Sequence, residues 1–267
     1  MIYDIIVFGG QSNMQGQSEA LTEEREVRGA FEYRLLSDTL VPLKNPVGED
    51  VKYDGSCGYR YFDNIDAEEW LKEHVLGSSC YGHTNLVPEF CREYVKTAGR
   101  GSVAVHAAKG STEIDDWMKG TPGYEFIVKK TLSAANALKR AGQSQGRIFF
   151  VWLQGESDAI FSKPMEEYKT KLFDLADGLK ADMGLERFGI IEVGRFTNDA
   201  RDDEIINAQE AAAKERPDMF VILTDHAKKM GSEPGMMRSD IAGHYSAAGL
   251  EVLGREGGRK LGEVSNI

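Results

Sequence analysis

Tyr3-Asp4-Ile5-Ile6-Val7-Phe8-Gly9-Gly10-Gln11-Ser12-Asn13-Met14 is a short apolar run that breaks into two glycines and then a serine. The run is nearly continuous rather than alternating, as expected of a strand covered on both faces by helices. The glycines permit a tight turn and set Ser12 at the mouth of the sheet. Comparable runs recur at 103–107, 148–152, 188–193 and 220–223.

Helical periods separate these runs. Leu86, Phe90, Tyr94 and Ala98 repeat every fourth residue, with Pro88 in the first turn. Met165, Tyr168, Leu172, Leu175, Leu179 and Met183 form a second apolar stripe behind Pro164. Further helical segments cover about 124–141 and 203–216, and a last one starts at Ser246, a plausible N-cap, with Leu250, Leu253 and Leu261 facing inward. Alternation of this kind predicts one domain over 1–267, a three-layer α/β/α sandwich around a five-stranded parallel sheet. The stretch 17–83 keeps no clean period and is expected to be an irregular insertion over the site.

Composition narrows the function. The chain has 267 residues, 41% hydrophobic and 28% charged, which is ordinary for a globular protein. Its formal net charge of -11 argues against a general role on nucleic acid or anionic membranes. Three cysteines, Cys57, Cys80 and Cys91, make neither a disulfide framework nor a metal-ligand spacing, so no metal or other cofactor is expected. The N-terminus shows neither a basic leader nor a small-residue cleavage site, and the expected location is cytoplasmic.

Four short blocks follow the strands, at the sheet edge where open parallel sheets bind ligands. The first, Gly9 to Met14, is not Gly-x-Ser-x-Gly, because Met14 holds the last position, and it lacks the Gly-Lys-Ser/Thr of a P-loop. The second, Ala107-Ala108-Lys109-Gly110-Ser111-Thr112, offers a backbone N–H at Gly110 for an oxyanion. In the third, Gln154-Gly155-Glu156-Ser157-Asp158, an amide donor stands next to an acid. The fourth, Ser239-Asp240-Ile241-Ala242-Gly243-His244-Tyr245-Ser246, puts the one histidine with both a nearby acid and a helix-entrance position late in the chain.

In this order the blocks resemble the SGNH hydrolases, and within them the carbohydrate esterase family 6 and sialate O-acetylesterase-like branch. The resemblance implies a flavodoxin-like fold and metal-free removal of O-acetyl groups from a small-molecule or oligosaccharide substrate. It makes Ser12 the expected nucleophile and His244 the general base. The Ser12 and Gly110 amides and the Gln154 side chain become the oxyanion hole. Gln11, Asn13 and Trp117 are the expected substrate contacts, with Tyr53, Tyr59, Tyr61 and Phe62 as further aromatic candidates. The family's Asp-x-x-His spacing is absent, since Ile241 stands where the aspartate would be, so either Asp240 or Glu156 is the acid expected to orient His244. Lys109 and Leu153 also replace the usual first residues of their blocks. The same residues would serve a short-acyl lipase or thioesterase, and a flavodoxin-like module that only binds a sugar or a partner is the reading from outside the enzymes.

Overall fold

The computed structural model describes residues 1–18, 25–35, 37–48 and 84–266. A seven-stranded sheet runs through it in the order β3-β2-β4-β1-β5-β6-β7. The strands are β1 (Ile2–Gly10), β2 (Ala30–Arg34), β3 (Thr39–Pro42), β4 (Gly101–Ala108), β5 (Ser144–Leu153), β6 (Leu185–Ile191) and β7 (Phe220–Thr224). All neighbours are parallel except β2 and β3, which pair antiparallel.

The sheet therefore exceeds the five strands expected from the sequence. The two additional strands lie within the stretch read as irregular. They are short and sit at one edge, and β3 is only partly buried or exposed throughout. A half-wet edge strand carries no continuous apolar run, which was the signal used to find the other five.

Around the sheet stand α1 (Ser12–Gln15), α2 (Val87–Ala98), α3 (Pro122–Arg140), α4 (Glu156–Ile160), α5 (Met165–Met183), α6 (Ala200–Glu215), α7 (Ala227–Met230) and α8 (Ala247–Ser265). Helices α3 and α5 cover one face of the sheet, and α6 packs alongside α5. The other face is covered by α2 and α8, which pack closely on each other. Ser246 caps α8 as its position suggested, its Oγ accepting from the Gly249 amide at 3.1 Å.

The α2–α8 contact is backbone on backbone. A Cβ added at Gly258 would lie 2.1 Å from the Phe90 carbonyl oxygen, and one at Gly254 2.5 Å from that of Leu86. Glycine at these positions lets Phe90 reach inward and meet Phe8 of β1 edge-to-face, ring centroids 5.1 Å apart. That contact ties α2, and through it α8, to the strand that leads into Ser12.

Strand β1 is central, with Gly10 in register with Ala108 of β4 and Leu153 of β5. The turns after three neighbouring strands therefore meet at one edge. The last block reaches the same edge from the far side of the sheet, through the segment between β7 and α8. His226 anchors this segment. Its Nδ1 lies 3.0 Å from Glu256 on α8 and its Nε2 2.9 Å from Glu233. The Glu233 contact foremost, with Glu256 behind it, raises the imidazole pKa.

Replacing Gly258 with alanine is expected to force α8 off α2 and cost about 1–3 kcal/mol, as overpacking does, read as a lower Tm by several degrees. For His226, a raised folded pKa means that its contribution is complete below about pH 6.5, the unfolded value. It fades as pH rises through the folded value. The Tm gap between wild type and His226→Gln should thus be widest in mild acid and close in mild alkali.

Candidate active site

Ser12 is the first residue of α1, a single turn directly beyond β1, and is 7% exposed. At that position its amide N–H has no acceptor within the helix. Gly110 lies against it: an added Cβ there would sit 3.4 Å from the Ser12 Cβ and 2.9 Å from the Gln17 Nε2. A side chain at this position would have to displace the ends of Gln15 and Gln17. The Gly110 amide donates to Gln15 Oε1 at 3.0 Å. Next to it, burial pushes the Lys109 ammonium down to about 8.

Asn13 joins the serine turn to the histidine loop. Its Nδ2 donates to the Gly243 carbonyl at 3.1 Å and to Glu156 Oε1 at 2.8 Å, and its Oδ1 accepts from the Tyr245 amide at 3.1 Å. Gly243 and Tyr245 flank His244, so one buried amide grips the peptide groups on both sides of the histidine. Sequence reading placed Asn13 among the substrate contacts, but the structure engages all of its side-chain polar atoms within the protein.

The histidine loop is also closed on itself. Met237 and Tyr245 form an antiparallel bridge, and the Arg238 amide donates to the His244 carbonyl at 2.9 Å. His244 Nδ1 lies 2.8 Å from the Ala242 carbonyl, which can only accept, so Nδ1 carries the proton. Nε2 is left as the basic nitrogen; it is buried and has no hydrogen-bond partner among the described residues. Burial lowers the His244 pKa, and the positive charge of Arg238 adds to this.

Neither acid expected to orient His244 bonds to it. Asp240 is exposed and turned toward Arg238, with contacts of 2.8 and 2.5 Å to the guanidinium. Arg238, itself nearly buried, outcompetes a neutral imidazole for the carboxylate. Glu156 is buried, 2% exposed, and bonds Asn13 instead. Burial drives its carboxyl above the ordinary range, and its Oε2 is without a partner among the described residues. The Ala242 carbonyl holds the position at which an orienting carboxylate was expected. Such a backbone group leaves no trace in sequence spacing.

Gln154 is fully buried and fully engaged. Its Nε2 contacts Gln11 Oε1, the Thr112 carbonyl and Asp158 Oδ2 at 3.1, 2.9 and 2.5 Å. Its Oε1 accepts from the Tyr168 hydroxyl at 2.9 Å. Three acceptors share two N–H bonds, so no donor is left for a substrate oxyanion. Gln11 belongs to the same buried network, accepting also from the Ser157 amide at 3.2 Å. Asp158 has its carboxyl pushed up to about 6 by burial, while Gln154 and Lys163 pull it down. Lys163 lies among Asp158, Asp115 and Glu113, a group of carboxylates close enough to share one cation, and its ammonium supplies that positive charge.

Trp117, expected to wall the pocket, is buried in the core. Its Nε1 donates to Thr112 Oγ1 at 3.1 Å and its ring meets Trp152 edge-to-face. Tyr53, Tyr59, Tyr61 and Phe62 lie outside the described residues. No helix among the described residues is long and apolar enough to cross a membrane.

Comparison with known proteins places the chain in a family. The family model described as carbohydrate esterase, sialic acid-specific acetylesterase, matches residues 2–256. A probable carbohydrate esterase of Arabidopsis thaliana is 30% identical over 209 residues, covering 77% of this chain and 74% of that one. Among solved structures, an Arabidopsis thaliana protein superposes with a TM-score of 0.63 at 17% identity, over 97% of each chain. A lipase/acylhydrolase from Enterococcus faecalis gives 0.50 at 12% identity, over 97% of this chain and 95% of that one. At these identities the superpositions establish a shared fold.

Asp240→Asn is expected to keep kcat/KM for an acetyl ester within about tenfold of wild type, against the ~10⁴ loss typical of a triad aspartate. Asn13→Ala should lower kcat by ~10² or more through misplacement of His244, with a smaller change in KM. Steady-state kinetics on the two variants separates these outcomes.

Proposed function

The chain belongs to the carbohydrate esterase family of sialic acid-specific acetylesterases, a family of ester hydrolases, and from that premise we propose that Ser12 and His244 remove O-acetyl groups from carbohydrates through an acetyl-enzyme. One observation carries the residue assignment. The amide of Asn13, the neighbour of Ser12, holds the peptides on both sides of His244, while the His244 Nε2 is buried and has no partner among the described residues.

A serine hydroxyl attacks an ester only when a base takes its proton. His244 Nε2 takes it as the Ser12 oxygen bonds to the acetyl carbon, and returns it to the departing sugar oxygen. The Ala242 carbonyl keeps the proton on Nδ1 throughout, so the base always presents the same nitrogen. Water then attacks the acetyl-enzyme, gives its proton to Nε2, and releases acetate and free Ser12.

The tetrahedral oxygen is stabilised first by the Ser12 amide. The Gly110 amide is the second donor. In the free protein it is held by the neutral oxygen of Gln15, which a charged oxyanion displaces, because hydrogen bonds to ions are roughly twice as strong as neutral ones. Gln154 supports this site by tying the turns after β1, β4 and β5 together rather than by donating to the oxyanion.

The pH dependence follows from the base. A His244 pKa below the ordinary ~6.5 keeps the imidazole neutral in mild acid. For p-nitrophenyl acetate, kcat/KM should stay on its plateau at neutral pH and fall only below that value, as Nε2 becomes protonated. Ser12→Ala should lose ~10³-fold or more of the activity while its circular dichroism is unchanged. Turnover within a few-fold of wild type would remove Ser12 from the nucleophile role.

A further inference from the structure

Arg238 and Asp240 take no part in the chemistry proposed at Ser12 and His244, yet both are built into the loop that carries the base. Met237 bridges Tyr245 across the neck of this loop, and the Arg238 amide donates to the His244 carbonyl at 2.9 Å. Arg238 therefore stands directly opposite the histidine. Its side chain is only 6% exposed, which is unusual for an arginine on a loop.

The fork of that side chain joins two segments. Its Nε and Nη2 donate to the two oxygens of Asp240 at 2.8 and 2.5 Å, and its Nη1 donates to the Gln17 carbonyl at 3.3 Å. Asp240 belongs to the far part of the histidine loop. Gln17 lies two residues beyond α1, the turn that opens with Ser12.

We propose that Arg238 is a positioning residue for the deacetylation, bracing the histidine loop against the chain that leaves the serine turn. The inference rests on the esterase reading and adds a second brace to that of Asn13. Asn13 holds the peptides next to His244, and Arg238 holds the loop four residues earlier. A paired contact between a guanidinium and a carboxylate fixes direction as well as distance. The guanidinium also stays protonated at any working pH, so the brace persists while His244 titrates.

The brace carries a charge that the base feels. Burial first, and then the charge of Arg238, lowers the His244 pKa. The other charged groups on the segments around the loop have their own contacts. Glu156 of α4 bonds Asn13, and Lys109 beyond β4 donates to the Gly110 carbonyl. Arg195 beyond β6 is 2.6 Å from Asp203, and Lys228 of α7 is 3.0 Å from both Glu192 and Glu210. Phe196, which meets the His244 ring edge-to-face, is uncharged. Removing Arg238 takes a positive charge from the loop and leaves Asp240 negative. Both changes favour the imidazolium, so the His244 pKa should rise.

The test compares Arg238→Gln and Arg238→Lys with wild type in two ways. Turnover of p-nitrophenyl acetate is measured on its pH plateau. The titration of the His244 ring is followed by NMR in the Ser12→Ala background, its signal identified by its loss in His244→Gln. Arg238→Gln should lower kcat by about tenfold or more with KM within about threefold, since misplacement of the base acts on the chemical step. Its His244 midpoint should rise by about half a pH unit. Arg238→Lys keeps the charge but lacks the fork, so its midpoint should stay at the wild-type value while kcat still falls by about threefold.

A residue that serves stability alone would lower Tm and leave the His244 midpoint where it was. An unmoved midpoint in Arg238→Gln, or kcat within about twofold of wild type in both variants, overturns the proposal. If Arg238→Gln does not fold, Arg238→Lys decides, and unchanged kcat in that variant overturns it. Failure of the esterase reading shows separately, as absence of Ser12-dependent turnover in wild type with the midpoint shift intact.

Discussion

The side chain of Asn13 is the contact on which the site depends. It is a short, buried amide whose oxygen and nitrogen are both fully used. It joins the serine turn at the end of β1 to the histidine loop before α8, beside the contact of Arg238 with the Gln17 carbonyl. Histidine loops of this length have many conformations, and holding one of them costs entropy. Two hydrogen bonds between Asn13, next to the central strand, and the peptides flanking His244 offset that cost.

Behind Asn13 lies a layer of buried polar groups that cross-links three strand ends. Gln11, Gln154, Asp158 and Tyr168 bond one another and the Thr112 carbonyl. A network of this kind in a low-dielectric interior is rigid when every member is satisfied, and its failure is expensive. It fixes the spacing of the turns carrying Ser12, Gly110 and Glu156. Lys163, bridging Asp158 to Asp115 and Glu113, extends the same lock to the 3-10 turn Ile114–Trp117. The site is thus built on the ends of the central strands, with the histidine loop held to them through Asn13.

Electrostatically the arrangement departs from a serine-histidine-acid triad. A backbone carbonyl fixes the proton on His244 Nδ1, and Asp240 is spent on Arg238. A carbonyl orients the ring as well as a carboxylate does but stabilises the imidazolium less. The same burial that lowers the His244 pKa keeps Glu156 on the neutral side of its ordinary range. Both shifts have the same first cause, removal of the charged form from water. Lys109 fits the same pattern, its charge weakened by burial next to Gly110.

The amino-acid sequence alone determined the parallel core and the order of the blocks around it. Five strands were legible because strands buried on both faces are written as continuous apolar runs. The long helices showed through their fourfold stripes, and Ser246 through its capping chemistry. Ser12, Gly110, Glu156 and His244 could be named because their residue types and strand-end positions are local properties. Tertiary structure decided the rest. Strand β3 is a half-wet edge strand, and β2 beside it is short and carries Glu32 and Arg34 in its five residues, so neither has an apolar run to detect. Asn13 and Trp117 changed from substrate contacts to a clamp and a core residue once their neighbours were in place. Gln154 lost its free N–H to partners 143, 42 and 4 residues away in sequence. The group that orients His244 is a main-chain carbonyl, which every residue possesses and which only the path of the folded loop can aim.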